Sequence, residues 1–572
     1  MGNIFKLHSQ ATIFASILLT GVFMLMMCRS LLTNQIISGD DRDFHGARLA
    51  SYYLALKQGQ FPPTWGPNLN HGFGYPIFIF SSPLVNLIGS VFFASNLSLE
   101  LSLNLVFVLL IVLAGGGMYY LTWLETKRPF FSASLSLAYL TAPYFLLDIF
   151  VRANPSEVAF LSLLPWILII LTQPQFLANR WRWLLAWLLA SAWLISHPLL
   201  VMVGLPVLGL WFWQKKNPVT KQLLALILVS LGSVIWFWLP LVIEKSLTQV
   251  NSNQLLTGFA DHFLQLKQLF WTGWGYGGLG KALGQTAFPV MIGPLYWLLA
   301  GLGIMALIKS KKTQTLLKPI RFWLIIFAGS VLLMSPISKI IWHASYFLPN
   351  LMFPWRLIWI PIMSSCLILI QLVKHQLIPK KMIGLLIFLL IATSVYKATG
   401  WAKPAGYISN TFNHWFEYTG TTNTFDEYLP QTWDAHANLR LTNQVVIKPL
   451  NQNYFNDDNQ VIGSIGQVSS LEWTGSNMSY QVEVDQPGLI IQRTMFYPGW
   501  QVKVDGQPRE IVSRDPEFPG RILIPIDPGK HTIRVSWTNH YWPRQVGGFI
   551  LILAITFGLG FSVTQFVKQK TC

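Results

Sequence analysis

The sequence is short of charge and has almost no cysteine. Only 11% of its 572 residues are charged and 52% are hydrophobic, where a soluble domain carries about 25% charged residues. With a mean hydropathy of +0.45, water is excluded as the main solvent. Of three cysteines, Cys28 and Cys366 lie in apolar runs and Cys572 is the last residue. That placement excludes a disulfide framework, a zinc knuckle and a prenylation box. Acidic residues are the scarcer sign, 23 against 40 Lys and Arg, for a net charge of +17. The basic residues form short clusters between apolar runs, not one patch. This pattern excludes nucleic acid as a partner and marks the cytoplasmic loops of a membrane protein.

What is present is a series of apolar runs. A helix needs about 20 such residues to cross the hydrocarbon core. Candidate spans fall near 11–32, 102–124, 130–147, 157–173, 183–197, 198–214, 222–242, 287–308, 321–335, 355–373, 382–397 and 547–567. The first follows Lys6 without a small-residue cleavage site, so it reads as an uncleaved span. The stretch 76–94 contains Pro76 and Pro83 and reads as an interfacial or re-entrant segment. With the N-terminus cytoplasmic, the inner loops hold Lys127 and Arg128, Arg180 and Arg182, Lys215 and Lys216, Lys309 to Lys318, Lys380 and Lys381, and Lys568 and Lys570. Glu125 is then the only acidic residue inside. Both termini are expected in the cytoplasm of a multi-pass plasma or inner membrane protein.

The expected architecture is a polytopic helical domain (1–398) of about twelve transmembrane helices with an external loop at 34–101. An extracytoplasmic β-rich domain (399–546) and a last span with its tail (547–572) follow. In the β-rich part, Gly488–Val504 is apolar around a Tyr-Pro-Gly-Trp break. Asp505-Gly506 and Asp527-Pro528-Gly529-Lys530 are turns, and Arg521–Ile526 and His531–Trp537 alternate as strands do. These elements suit a small antiparallel β-sandwich. Trp500 and Trp537 fit either its core or a sugar-stacking platform.

The external loop holds the densest chemistry. Ser38 or Asp40 suits a helix N-cap, and Asp40, Asp41 and Asp43 suit the positive end of the helix dipole. Asp41, His45 and Arg48 then share one face, while Leu49, Tyr52, Tyr53 and Leu56 form an apolar face for lying on a membrane surface. Two readings fit: a carboxylate base tuned by an imidazole, with an arginine for phosphate, or a salt-bridged interfacial helix. Phe61-Pro62-Pro63-Thr64-Trp65 and His71-Gly72-Phe73-Gly74-Tyr75-Pro76 follow, either walling a cleft or covering the bundle.

Several motifs resemble a known family. They are Asp41-x-x-Phe44-His45-x-x-Arg48, Gly59-x-Phe61-Pro62, Gly72-Phe-Gly74-Tyr75-Pro76, Ala142-Pro143-Tyr144 with Asp148, Arg152 and Glu157, and Phe353-Pro354-Trp355-Arg356. In that order they are similar to bacterial membrane proteins labelled 6-pyruvoyl-tetrahydropterin synthase-related. Tyr497-Pro498-Gly499-Trp500 through His531 is similar to the end of YfhO-like proteins. The histidine-rich zinc site of pterin synthases has no counterpart here. The wider resemblance is to GT-C membrane glycosyltransferases, which implies a polyprenyl-phosphate-linked sugar donor and an extracytoplasmic lipid, glycan or protein acceptor. It implies Asp41 as general base, with Asp40, Asp43 and His45 as further catalytic candidates. Arg48, Arg152, Glu157, His197 and Arg356 are the substrate-binding candidates it points to, with His343 as a weaker one, and Glu244 and Asp261 are candidates for a second acid. A divalent cation on Asp40, Asp41 and Asp43 is allowed but not required. The competing expectations are a transporter or flippase of lipid-linked sugars and a non-catalytic cell-envelope assembly protein.

Overall fold

The computed structural model describes residues 2–215, 219–251, 258–278, 288–310, 314–408, 412–423, 426–441, 443–450, 452–455 and 464–567. Lys216, Lys311, Lys312, Lys568, Lys570 and Cys572 fall outside them. The first half is helical: α1 (Gly2–Cys28), α2 (Arg42–Lys57), α3 (Ile77–Phe80), α4 (Pro83–Ala94), α5 (Leu99–Thr126), α6 (Pro129–Leu140), α7 (Pro143–Phe150), α8 (Pro155–Thr172), α9 (Arg180–Leu194), α10 (Pro198–Lys215) and α11 (Lys221–Glu244). It continues with α12 (Leu266–Phe270), α13 (Pro294–Lys309), α14 (Gln314–Met334), α15 (Lys339–Ala344), α16 (Trp359–Lys374) and α17 (Lys380–Gly400). After the short α18 (Phe412–Phe416) and α19 (Ala435–Leu439) comes a β domain, and α20 (Trp542–Val567) closes the described chain.

Among the described residues nine helices are long and apolar enough to cross a membrane, and α6 with α7 makes a tenth. Of the twelve expected spans, the two others, α9 and α13, are helices of 15 and 16 residues and fall below that length. The run expected at 130–147 is not one straight span. It bends by 50° between α6 and α7, where Pro143 lacks the N–H a continuing helix needs. Helices α8 and α16 are central, with 83% and 94% of their apolar windows buried, whereas α1 and α20 bury 28% and 22%. Phe14, Ile17 and Leu25 on α1, and Phe549, Ile552 and Leu553 on α20, face outward as a lipid-contacting belt. The chain is a multi-pass membrane protein.

Polar groups mark the two ends of the bundle. At one end Glu125, closing α5, accepts from Gln173 after α8 at 2.8 Å and pairs with Lys374 of α16 at 2.6 Å. At the other end Glu157, opening α8, pairs with Arg356 just before α16 at 3.1 Å. Although short, α9 joins these ends: it starts after Gln173 and leads to His197, 3.7 Å from Glu157.

The β domain has two antiparallel sheets. Strands β3 (Val445–Pro449), β6 (Gly488–Met495) and β9 (Arg521–Ile526) form one, in the order β3-β6-β9. Strands β4 (Gly466–Trp473), β5 (Asn477–Val484), β7 (Trp500–Val504), β8 (Gln507–Arg509) and β10 (Gly529–Trp537) form the other, ordered β4-β5-β10-β7-β8. A further pair, β1 (Ile36–Ile37) with β2 (Tyr407–Ile408), ties the start of the first loop to the exit of α17. Asp505 and Gly506 take φ of 52° and 81°, the left-handed pair a two-residue hairpin turn requires. On β5 every second residue (Met478, Tyr480, Val482, Val484) points inward. These meet Ile490, Ile522 and Ile524 of the facing sheet in one core.

That core also takes in Trp65, Leu69, Phe73, Tyr75 and Ile77–Phe80 of the first loop. Trp65 stacks on Trp537 at 4.7 Å and meets Trp500 edge-on at 5.4 Å. Both β-domain tryptophans are therefore core residues, closed to a sugar by a third indole. The apolar face of α2 likewise does not lie on a membrane surface. Leu49 packs into the helical core and Tyr52 into the β-domain core, so α2 is clamped between the two layers.

Candidate active site

The segment before α2 runs beside the turn joining α7 to α8. The amides of Asp40 and Asp41 donate to the carbonyls of Val151 (3.1 Å) and Arg152 (2.8 Å). A side chain at Gly39 would stand 2.6 Å from the Ala153 Cβ, so only glycine lets the two backbones approach this closely. Ala153 itself sits at φ 57°, a left-handed conformation that is strained for a residue with a Cβ.

This contact gathers a buried charge cluster. Arg152 reaches Asp148 at 2.7 Å and Glu157 at 3.0 Å through Nη1, and Asp41 at 3.1 Å through Nη2. Arg356 donates from Nε to Glu157 at 3.1 Å and from Nη1 to the Leu351 carbonyl at 2.8 Å. Tyr144 donates its hydroxyl to Glu157. The Arg152 guanidinium also lies over the Trp355 ring at 5.0 Å. Burial by itself lowers the pKa of Arg152, but Glu157, Asp148 and Asp41 outweigh it and hold the guanidinium protonated.

Local sequence explains the geometry. Asn154 is the N-cap of α8 and Pro155 its first residue, a preferred helix start. The Asn154 side-chain Oδ1 caps the Glu157 amide at 3.2 Å, while its Nδ2 donates to Asp41 Oδ2 at 2.9 Å. Asp41 occupies the N-cap position of α2 without capping it. Neither Ser38 nor Asp40, the expected caps, holds that place; Ser38 accepts from Gly406 instead.

His45, one turn further, is buried, and its pKa falls well below the usual range through burial first, then Arg48, Arg152 and His197. His197 accepts from the Leu200 amide through Nδ1 at 3.3 Å, which leaves Nε2 toward Glu157. Burial pulls its pKa down to about 4, opposed by Glu157 and reinforced by Arg356 and Arg152. Arg48 is half-buried and donates to the Thr422 hydroxyl and carbonyl at 3.1 and 2.5 Å.

Asp41, His45, Arg152, Glu157, His197 and Arg356 are thus brought together, with Arg48 two turns along the same helix. The other candidates are elsewhere. Asp43 pairs with Arg42, Glu244 pairs with Arg544 at 2.6 Å, and His343 packs on Phe259 at 5.0 Å. Arg152 and Glu157, expected to hold substrate, instead bind one another with side chains 3% and 0% exposed. The Asp41 side chain is 20% exposed. Asp40, Asp41 and Asp43 do not converge, and no group of three or more His, Cys, Asp or Glu among the described residues is placed to hold a metal. The residues not singled out from sequence as site residues are Tyr144, Asp148 and Asn154. The Asp148–Arg152 spacing of four and the Asn154-Pro155-x-Glu157 helix start were the available signals.

The fold and cluster define a multi-pass membrane protein with a charge cluster at one end of its bundle, under a β domain. No family profile matches the chain, and no curated protein matches it in sequence. The resemblance read from its motifs therefore has no support from those comparisons. Among solved structures it is similar to the arabinofuranosyltransferase AftD from Mycobacteria, with 16% identity and a TM-score of 0.41. The similarity covers 69% of this chain and only 27% of that one.

Proposed function

We propose that this protein is a membrane glycosyltransferase that moves a sugar from a polyprenyl-phosphate donor to an acceptor hydroxyl outside the cytoplasm. The observation that carries the reading is the exposure of Asp41. Asp148 and Glu157 are sealed in the cluster, and Asp41 is its one partly open carboxylate. Arg152 and Asn154 hold one of its oxygens, which positions the group as a base needs.

In this mechanism the acceptor oxygen attacks the anomeric carbon as its proton passes to Asp41. The bond from that carbon to the lipid-phosphate oxygen breaks with its electron pair, leaving the lipid phosphate as an anion. Arg48 meets that anion, since it is the less enclosed cation and a guanidinium suits phosphate. Arg152, Glu157, Asn154 and Arg356 act through Asp41 and through the ends of α8 and α16. The external loop and the β domain, packed on one another, then lie on the extracytoplasmic side, with both termini in the cytoplasm.

A strain carrying Asp41→Asn tests this. Loss of a cell-surface glycan, with the protein still in the membrane at normal amount, is expected. Surface glycans identical to the parent's remove the transferase reading and leave a transporter or an assembly protein.

A further inference from the structure

A cleft of 410 Å³ opens where the first loop meets the β domain, among Asn68, His71, Phe416, Tyr418, Trp473 and Arg493. Its volume lies within the ~300–1,000 Å³ of ligand pockets. The walls are fixed by hydrogen bonds between segments far apart in sequence. Asn70 and His71 donate from their amides to the carbonyls of Gly420 (2.9 Å) and Thr419 (2.7 Å). The Asn68 side chain holds the Phe416 carbonyl at 2.9 Å, and the Arg493 amide holds that of Gln444 at 2.9 Å. Gly475, at φ 82°, lets the β4–β5 turn approach the loop so closely that a Cβ there would stand 2.7 Å from the Pro67 carbonyl.

We infer that this cleft binds an oligosaccharide bearing an acidic group. Three aromatic side chains from two segments, Phe416 and Tyr418 from one and Trp473 from the other, with amides and hydroxyls between them, match the apolar faces and polar edges of sugar rings. Arg493 supplies the charge. It donates to the His71 carbonyl and lies 5.6 Å from the Phe73 ring, its Nε is buried without a partner, and it makes no ion pair with a described carboxylate. Behind it Arg521 is fully buried and bound to the carbonyls of Asn438 and Leu441, adding a second cation without a carboxylate. Glu417 is the one carboxylate in the lining and is exposed. An extended peptide is the weaker fit, because loop residues make up most of the lining and the edge strand β4 contributes to it just its last residue, Trp473. Tyr418 lies within electrostatic reach of Asp43 and Arg48 on α2. On the transferase reading, a chain bound here is the acceptor; the binding itself does not depend on that reading.

The test is binding to the full-length protein in lipid nanodiscs by calorimetry. The probes are a hyaluronan hexasaccharide, a polygalacturonate hexasaccharide, neutral maltohexaose and an acidic hexapeptide. At least one acidic oligosaccharide is expected to bind at least tenfold tighter than maltohexaose and the peptide. Arg493→Gln and Trp473→Ala each weaken it at least tenfold, and Trp473→Phe weakens it less. No saccharide binding, tighter binding of the neutral chain or the peptide, or binding that survives both substitutions overturns the inference. None of these results bears on Asp41 as the base.

Discussion

Glu157→Gln is the sharpest probe of the buried cluster. The substitution keeps the shape and removes the charge. Arg152 retains Asp41 and Asp148, but Arg356 loses its one carboxylate partner among the described residues and keeps the Leu351 carbonyl and the Phe353 ring at 4.9 Å. The Arg356 side chain is 8% exposed, so the stranded charge has little water to turn to. Breaking a buried pair from one side costs ~3–5 kcal/mol, and the Tyr144 hydroxyl loses a charged acceptor as well. Reversible unfolding in mixed micelles, followed by tryptophan fluorescence, would measure the loss. Arg356→Gln closes a double-mutant cycle: with both charges gone the loss falls well short of the sum of the single ones. As a control, breaking the exposed Lys530–Glu483 pair, 3.3 Å apart, costs only the ~0–1 kcal/mol of surface pairs. A loss below ~1 kcal/mol for Glu157→Gln, or strict additivity with Arg356→Gln, refutes the claim that this cluster holds α8 to α16.

Two further outcomes follow from the same geometry. His197 is held neutral to about pH 4 by burial, while an unfolded histidine titrates near ~6.5. Its contribution is fully present above that value and is lost as pH falls, by roughly 3 kcal/mol in all. His197→Gln should flatten the acid limb of an unfolding profile between about pH 6.5 and 4, and a limb of unchanged steepness contradicts the assignment. Glu244 and Arg544 pair at 2.6 Å where α11 meets α20, with the Arg544 guanidinium 4.7 Å from the Trp537 ring. Arg544→Gln should loosen the β domain from the bundle and raise the rate of limited proteolysis within 399–541. Digestion at the parental rate argues that the domain is held by other contacts.

The helices and strands were largely legible in the sequence, because hydrophobic runs, charge clusters and turn residues are local signals. Arg521–Ile526 forms a strand with the expected bounds, and the Asp505-Gly506 turn is where the residues put it. Side-chain partners across the chain were not legible. The apolar face of α2 suits a membrane surface and a protein core equally well, and only distant segments, the helical core around Leu49 and the β-domain core around Tyr52, decide between them. Trp65 gives no local sign that it closes the site between Trp500 and Trp537. Arg152 and Glu157 stood out as charges near spans, which marks a functional region. It did not reveal that they would satisfy each other and leave Asp41 as the open carboxylate.

The most direct test of the transferase account is sugar transfer by the purified protein in liposomes, from a polyprenyl-phosphate donor to a hydroxyl acceptor. Asp41→Asn is compared with Asp43→Asn, whose carboxylate pairs with Arg42 away from the cluster. Loss of a general base costs ~10²–10⁴-fold. The account predicts a loss of that size for Asp41→Asn, with the thermal stability of the protein retained, and near-parental transfer for Asp43→Asn. Transfer by Asp41→Asn equal to that of Asp43→Asn would contradict it.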